Sequence, residues 1–220
     1  MQPMRLLFDL DGTLLDTAPD LYATLNHCLK SVGRPPVTLE SVKHMVGQGA
    51  IVLLRRGLTA TGGMVEEEKF QSLVDLFFSH YGENLSDHSI PYEGMQACLD
   101  TLKDQGHALA VCTNKPYGFA KQILEDFNLN PYFDALTGGD SFDIRKPHPD
   151  HIHKTLDLMS LKTGTAVMIG DTHNDIDAAV SAGIGSIAVT FGYSDTPAAE
   201  LGADHVIDHF QKLIPTLEKY

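Results

Sequence analysis

The stretch Leu6-Leu7-Phe8-Asp9-Leu10-Asp11-Gly12-Thr13-Leu14-Leu15-Asp16 decides how the rest of the chain is read. An apolar run rich in strand formers ends in two carboxylates one residue apart, followed by a glycine and a threonine. The pattern predicts a buried strand that gives way to a turn permitted by Gly12. Asp9 and Asp11 then project from the strand's C-terminal end, the edge where open α/β sheets bind ligands. One carboxylate that attacks and a second that carries a proton are what an aspartyl-phosphate mechanism needs. An Asp-rich turn or helix start is the plainer reading of the same residues.

The chain has 220 residues, 20% charged and 43% hydrophobic, which suits one ordinary domain or a domain carrying a smaller insert. Its formal charge of −13 and lack of a basic stripe argue against a nucleic-acid partner. The same charge would be repelled by an anionic membrane surface. An acidic protein that binds a phosphorylated substrate therefore needs local positive charge, from a cation and a few lysines. Cys28, Cys98 and Cys112 lack a C-x-x-C pair and sit in apolar patterns, so they read as buried free thiols. No basic leader with a cleavage site appears, nor an apolar run of about 18 residues, so a cytoplasmic location is expected. A monomer or homodimer is the expected assembly.

Further short apolar runs predict parallel strands at residues 108–113, 166–170 and 186–190, with weaker ones at 133–137 and 205–207. Helical patterns lie between them, opened by Pro116 and Pro149 and closed by Gly106 and Gly183. Strand and helix alternating over residues 91–207 predict a doubly wound, Rossmann-like parallel sheet of the α/β class. Residues 16–90 break that rhythm: three helical stripes recur and no convincing strand appears. The segment reads as an all-helical cap inserted after the first strand, leaving residues 1–15 and 91–220 as the core.

Three more strand ends carry candidate chemistry. Thr113-Asn114 offers a hydroxyl and an amide just before a helix N-terminus, a phosphate cradle or an ordinary capping pair. Lys146 precedes Pro147, which restricts the lysine backbone so that its ammonium is aimed. Asp171 and Asp175, four apart at a strand-to-helix transition, suit a hard divalent cation or simple helix capping. All fall at ends expected on one edge of a right-handed parallel sheet. Carboxylates crowded there would repel by ~1–4 kcal/mol per close pair, which a cation and Lys146 would offset. His148, His151, His153 and His173 cluster near these motifs, but they lack the spacing of a paired ligand set and read as solvated or packing side chains.

Taken in order, these four motifs resemble those of the haloacid dehalogenase-like superfamily of hydrolases, which opens with D-x-D-G-T. The resemblance implies that Asp9 attacks phosphorus while Asp11 serves as acid and then base. It implies phosphoryl contacts from Thr113 and Asn114, and charge balance from Lys146. It also implies Mg²⁺ bound by Asp9, the Asp11 carbonyl and Asp171, with Asp175 in support. The carboxylate at position 11 and the acidic cation site set the chain apart from the dehalogenases. Val46-Gly47-Gln48-Gly49-Ala50, Leu53-Leu54-Arg55-Arg56, Pro91-Tyr92-Glu93-Gly94 and Cys112-Thr113-Asn114-Lys115-Pro116 extend the likeness to bacterial phosphoglycolate phosphatases. A small phosphomonoester, 2-phosphoglycolate first, is the substrate so implied. A phosphosugar mutase, or another small-phosphate phosphatase or pyrophosphatase, uses the same core. Gly47, Gln48 and Gly49 would bring backbone N–H groups to the substrate's carboxylate, and Arg55 or Arg56 would pair with it. A plain helix–helix turn and a solvent-facing arginine pair are the alternatives.

Overall fold

The computed structural model describes residues 2–220. From the N-terminus, β1 (Arg5–Phe8) and β2 (Leu15–Asp16) are followed by four helices, α1 (Ala18–Ser31), α2 (Leu39–Lys43), α3 (Ala50–Ala60) and α4 (Glu67–Glu83). After β3 (Ile90–Pro91), α5 (Met95–Asp104), β4 (Ala108–Cys112), α6 (Tyr117–Asp126) and β5 (Ala135–Thr137) alternate. The chain continues through α7 (Pro149–Leu158), β6 (Ala166–Gly170), α8 (His173–Ala182), β7 (Gly185–Val189), β8 (His205–Ile207) and α9 (Leu213–Leu217).

Six strands form one parallel sheet in the order β5-β4-β1-β6-β7-β8. Because β1 lies between β4 and β6, the strand order reverses beside it, which opens a crevice at the carboxyl ends of these three strands. Side chains alternate across the sheet, so both faces must be covered. Leu6, Phe8, Leu109, Val111, Val167 and Ile169 join one large core, which also takes in α5, α6 and α9. Leu7, Ala108, Ala110, Ala166 and Met168 face Ile152 and Leu156 of α7 and Ala178 and Ala179 of α8. The alanines on that face let these two helices lie close to the strands. The fold is the expected α/β sheet with helices on both faces.

Residues 18–83 fold as helices packed mainly on one another, with Leu25, Cys28, Leu54, Phe70 and Phe77 buried among them. Two features differ from the sequence reading. β2 and β3 pair antiparallel through Leu15↔Pro91 and Asp16↔Ile90, a ribbon at the two ends of the helical segment. Two residues are too few for strand periodicity to register. The five-residue α2 also went unread; it is set by its cap, where the Thr38 side chain accepts from the Ser41 N–H. All three cysteines are free and buried, as their apolar settings predict.

Candidate active site

Asp9 leaves β1 at the crevice, and its N–H donates to the Ile169 carbonyl at 2.9 Å, so the sheet ladder sets its position. Its Oδ1 accepts from the Leu10 N–H at 2.8 Å and lies 3.1 Å from Lys146 Nζ. The Lys146 side chain is fully buried, and its ammonium also reaches Asp175 Oδ1 at 2.5 Å. The Lys146–Pro147 peptide is cis, and the Lys146 N–H donates to His151 Nδ1 at 3.2 Å. Asn114 adds a clamp: its amide donates to the Lys146 carbonyl at 3.0 Å and to the Gly47 carbonyl at 3.5 Å.

Asp171 follows β6. Its Oδ1 accepts from the Thr13 hydroxyl at 3.1 Å and its Oδ2 from the Tyr193 N–H at 2.7 Å. Two glycines make room for it. A Cβ on Gly12, which has φ +84°, would stand 2.4 Å from Asp171 Oδ2, and one on Gly192 would stand 2.2 Å from Asp171 Cβ. Asp175 completes a capping box at the start of α8, accepting from the Thr172 N–H at 3.0 Å and its hydroxyl at 2.9 Å.

One ligand oxygen each from Asp9, Asp171 and Asp175 lies within 4.8 Å of the others, and all three residues are buried. Burial pushes the Asp9 carboxyl up to about 7; Lys146 pulls it down, while Asp175 and Asp11 push it further up. Burial likewise holds Asp171 well above the ordinary carboxylate range, reinforced by Asp175 and Asp9. Burial works against the Lys146 charge, but Asp175 and Asp9 outweigh it and keep the group above the usual lysine value. A single ammonium among three buried carboxylates leaves negative charge in excess. The donors are hard oxygens, so a small divalent cation such as Mg²⁺ fits them. Both oxygens of Asp175 are already bonded to Lys146 and Thr172, which suits it to orienting rather than to direct ligation.

Above this cluster lies a cavity with about 480 Å³ of empty space, part of it open to solvent. Asp9, Asp11, Thr113 and Asn114 line it from the sheet side, and Gly47 and Gly49 from the helical segment. The crevice of a parallel sheet thus gathers, on one edge, residues far apart in the chain. The sequence model of the haloacid dehalogenase-like hydrolases matches residues 6–189. The chain belongs to this family. It is 44% identical over 211 residues to a phosphoglycolate phosphatase of Agrobacterium fabrum, covering 96% of this chain and 91% of that one. A phosphoglycolate phosphatase of Caulobacter vibrioides is 40% identical over 203 residues, covering 92% of this chain and 86% of that one. Among solved structures, a predicted phosphoglycolate phosphatase from Haemophilus somnus superposes with a TM-score of 0.92 at 33% identity, covering 99% of both chains.

Within this haloacid dehalogenase-like frame, part of the expected binding set lies elsewhere. Arg55 stacks over the Phe70 ring at 4.1 Å, and Arg56 donates to the Met45 carbonyl at 3.0 Å. Both line a separate shallow groove with His44 and Thr59, so neither reaches the cavity. Helical phase is the reason: Leu53 and Leu54 turn inward on α3 and carry the arginines outward. Gln48 is not among the lining residues, although its glycine neighbours are. His173, read as a solvated or packing side chain, stays off the cavity, with its ring 3.9 Å from Asp177.

Several participants carried no readable signal of their own. The Lys115 ammonium donates to Asp11 Oδ1 at 2.9 Å and to the Tyr81 hydroxyl at 2.5 Å, and the Thr17 hydroxyl donates to Asp11 Oδ1 at 2.7 Å. Thr13 and Tyr193 support Asp171, as described. The adjacency of Lys115 to Thr113-Asn114, that of Thr13 to Asp9-x-Asp11-Gly12, and the likeness of Gly192-Tyr193 to the same stretch of bacterial phosphoglycolate phosphatases were all that pointed toward them.

Proposed function

We propose that this protein is a phosphomonoesterase that hydrolyses 2-phosphoglycolate through a phosphorylated Asp9. The observation that carries the reading is the Asp9 carboxylate, 3.1 Å from a fully buried lysine and beside a second carboxylate, Asp11, on the same cavity wall. The 44% identical relative of Agrobacterium fabrum, a phosphoglycolate phosphatase, supports the choice of substrate.

In this reading an Asp9 oxygen attacks phosphorus, and the bond from phosphorus to the leaving oxygen breaks. Asp11 gives its proton to that oxygen, which leaves as the hydroxyl of glycolate. Water then attacks the phosphorus of the aspartyl phosphate, Asp11 takes up a proton, and phosphate departs with Asp9 restored. Lys146 balances charge at the nucleophile, and the Thr113 hydroxyl holds a phosphoryl oxygen. Asp9, the Asp11 carbonyl and Asp171 would hold Mg²⁺, with Asp175 steadying Lys146. When bound, the ion neutralises phosphoryl charge and helps align the reacting groups. Residues 16–90 act as a cap that closes the cavity against water, with Gly47 and Gly49 presenting backbone to the substrate.

Phosphate release across small phosphorylated acids, sugars, nucleotides and pyrophosphate, with and without EDTA, tests this. A preference of more than tenfold in kcat/KM, or ~1.4 kcal/mol of discrimination, is expected for 2-phosphoglycolate. Flat activity across the panel would refute the substrate, and an isomerised hexose phosphate would reveal a mutase. Asp9→Asn should lower phosphate release by about 10⁴-fold or more. Retained release, against a clean background control, would remove Asp9 as nucleophile.

A further inference from the structure

A 2-phosphoglycolate bound with its phosphorus over Asp9 brings a second anion into the cavity, the carboxylate of its leaving group. The wall beyond the phosphate is mostly apolar: Leu21, Val46, Leu53 and Phe119 line it. With Arg55 and Arg56 outside, Lys115 is the one cationic side chain among the lining residues.

Lys115 is held rather than free. Its N–H donates to the Thr113 hydroxyl oxygen at 3.2 Å, which ties it to the loop that carries the phosphate cradle. Its ammonium lies 2.9 and 3.2 Å from the two Asp11 oxygens and 4.7 Å from the centre of the Tyr81 ring. The side chain is only 3% exposed. Tyr81 comes from α4 in the helical segment, whereas Asp11 belongs to the sheet, so the ammonium is gripped from both sides.

We propose that Lys115 determines specificity by receiving the leaving group's carboxylate, with Tyr81 and Asp11 holding the ammonium in place. This rests on the phosphoglycolate reading and extends it. An ammonium within hydrogen-bond distance of the group that protonates the leaving oxygen meets an acid one carbon from that oxygen. A neutral leaving group offers Lys115 at most an uncharged acceptor and forgoes the charge-assisted bond that a carboxylate makes.

The test compares kcat/KM for 2-phosphoglycolate with that for 2-hydroxyethyl phosphate, in which a hydroxymethyl group replaces the carboxylate. In the Lys115→Gln variant the acid-to-neutral ratio falls roughly 100-fold, whatever loss both esters share. Lys115→Arg, which keeps the charge, restores most of the ratio. Tyr81→Phe removes one hydroxyl, keeps the packing and lowers the ratio about fivefold, and it serves if the Gln variant does not fold. Equal losses on both esters in Lys115→Gln, or an unchanged ratio in Tyr81→Phe, would overturn the assignment. A wild-type protein with no preference for the acid would instead defeat the phosphoglycolate reading itself.

Discussion

In the proposed reaction Asp9 has to be a bare carboxylate to attack, yet burial pushes its carboxyl up to about 7 from 3.8. In the ion-free protein the folded chain therefore holds a proton between those values that the unfolded chain has released. Stability from this group falls as pH rises through that window, and a bound cation must displace the proton. If Asp9 and Asp171 hold Mg²⁺, its affinity should drop at least about tenfold per pH unit below about pH 7, since Asp171 also has a proton to lose. Calorimetric titrations at pH 8.0 and pH 5.5 check this, and equal affinities would count against Asp9 as a ligand. Gly12 meets a different limit, because its φ of +84° and the 2.4 Å approach to Asp171 both exclude a side chain. Gly12→Ala should destabilise the fold by roughly 1–3 kcal/mol and weaken Mg²⁺ binding by more than tenfold. Urea unfolding and ion titration read the two effects separately.

The short elements do more for the site than their length suggests. Tyr193, in the segment after β7, donates its N–H to Asp171, while its hydroxyl donates to Asp16 at 2.7 Å and accepts from the Ala18 N–H at 2.9 Å. One residue thus ties the acidic cluster to β2 and to the start of α1. Tyr193→Phe keeps the bond to Asp171 and leaves the other two partners without the phenol. A loss of about 1–2 kcal/mol follows, or roughly 2–8 °C in unfolding midpoint for a chain of this size. Scanning calorimetry measures it, and an unchanged midpoint would show that solvent replaces the hydroxyl at no cost. Six sheet strands and the three long helices of the insert were legible, because buried strands are continuous apolar runs and helices repeat every three to four residues. The β2–β3 ribbon and α2 were not, because two residues hold a single period of strand alternation and five hold little more than one helical turn, too little for a repeat to show.

At the scale of the whole molecule, the cavity exists because the helical segment is pressed onto the sheet's carboxyl edge. Asn174, at the start of α8, donates to the Gly47 carbonyl at 3.0 Å, and Asn114 reaches the same oxygen. Both contacts cross from the sheet to the insert. If residues 16–90 close over substrate, Asn174→Ala should raise KM for 2-phosphoglycolate about fivefold, the equivalent of one hydrogen bond. Steady-state kinetics give the answer, and an unchanged KM would mean that this contact does not stabilise the closed arrangement. Among the described residues, no helix is long and apolar enough to cross a membrane.

The order of motifs along the chain was enough to predict the sheet and to nominate Asp9, Asp11, Thr113, Asn114, Lys146, Asp171 and Asp175, since strand ends in a parallel sheet must share an edge. The partner of each group was decided only by the tertiary structure. Lys146 sits between Asp9 and Asp175, Lys115 joins Asp11 to Tyr81, and Arg55 and Arg56 face away. Local pattern reports which face of an element is apolar, whereas pairing depends on how distant elements are rotated and docked against one another. That information appears only when the chain has closed.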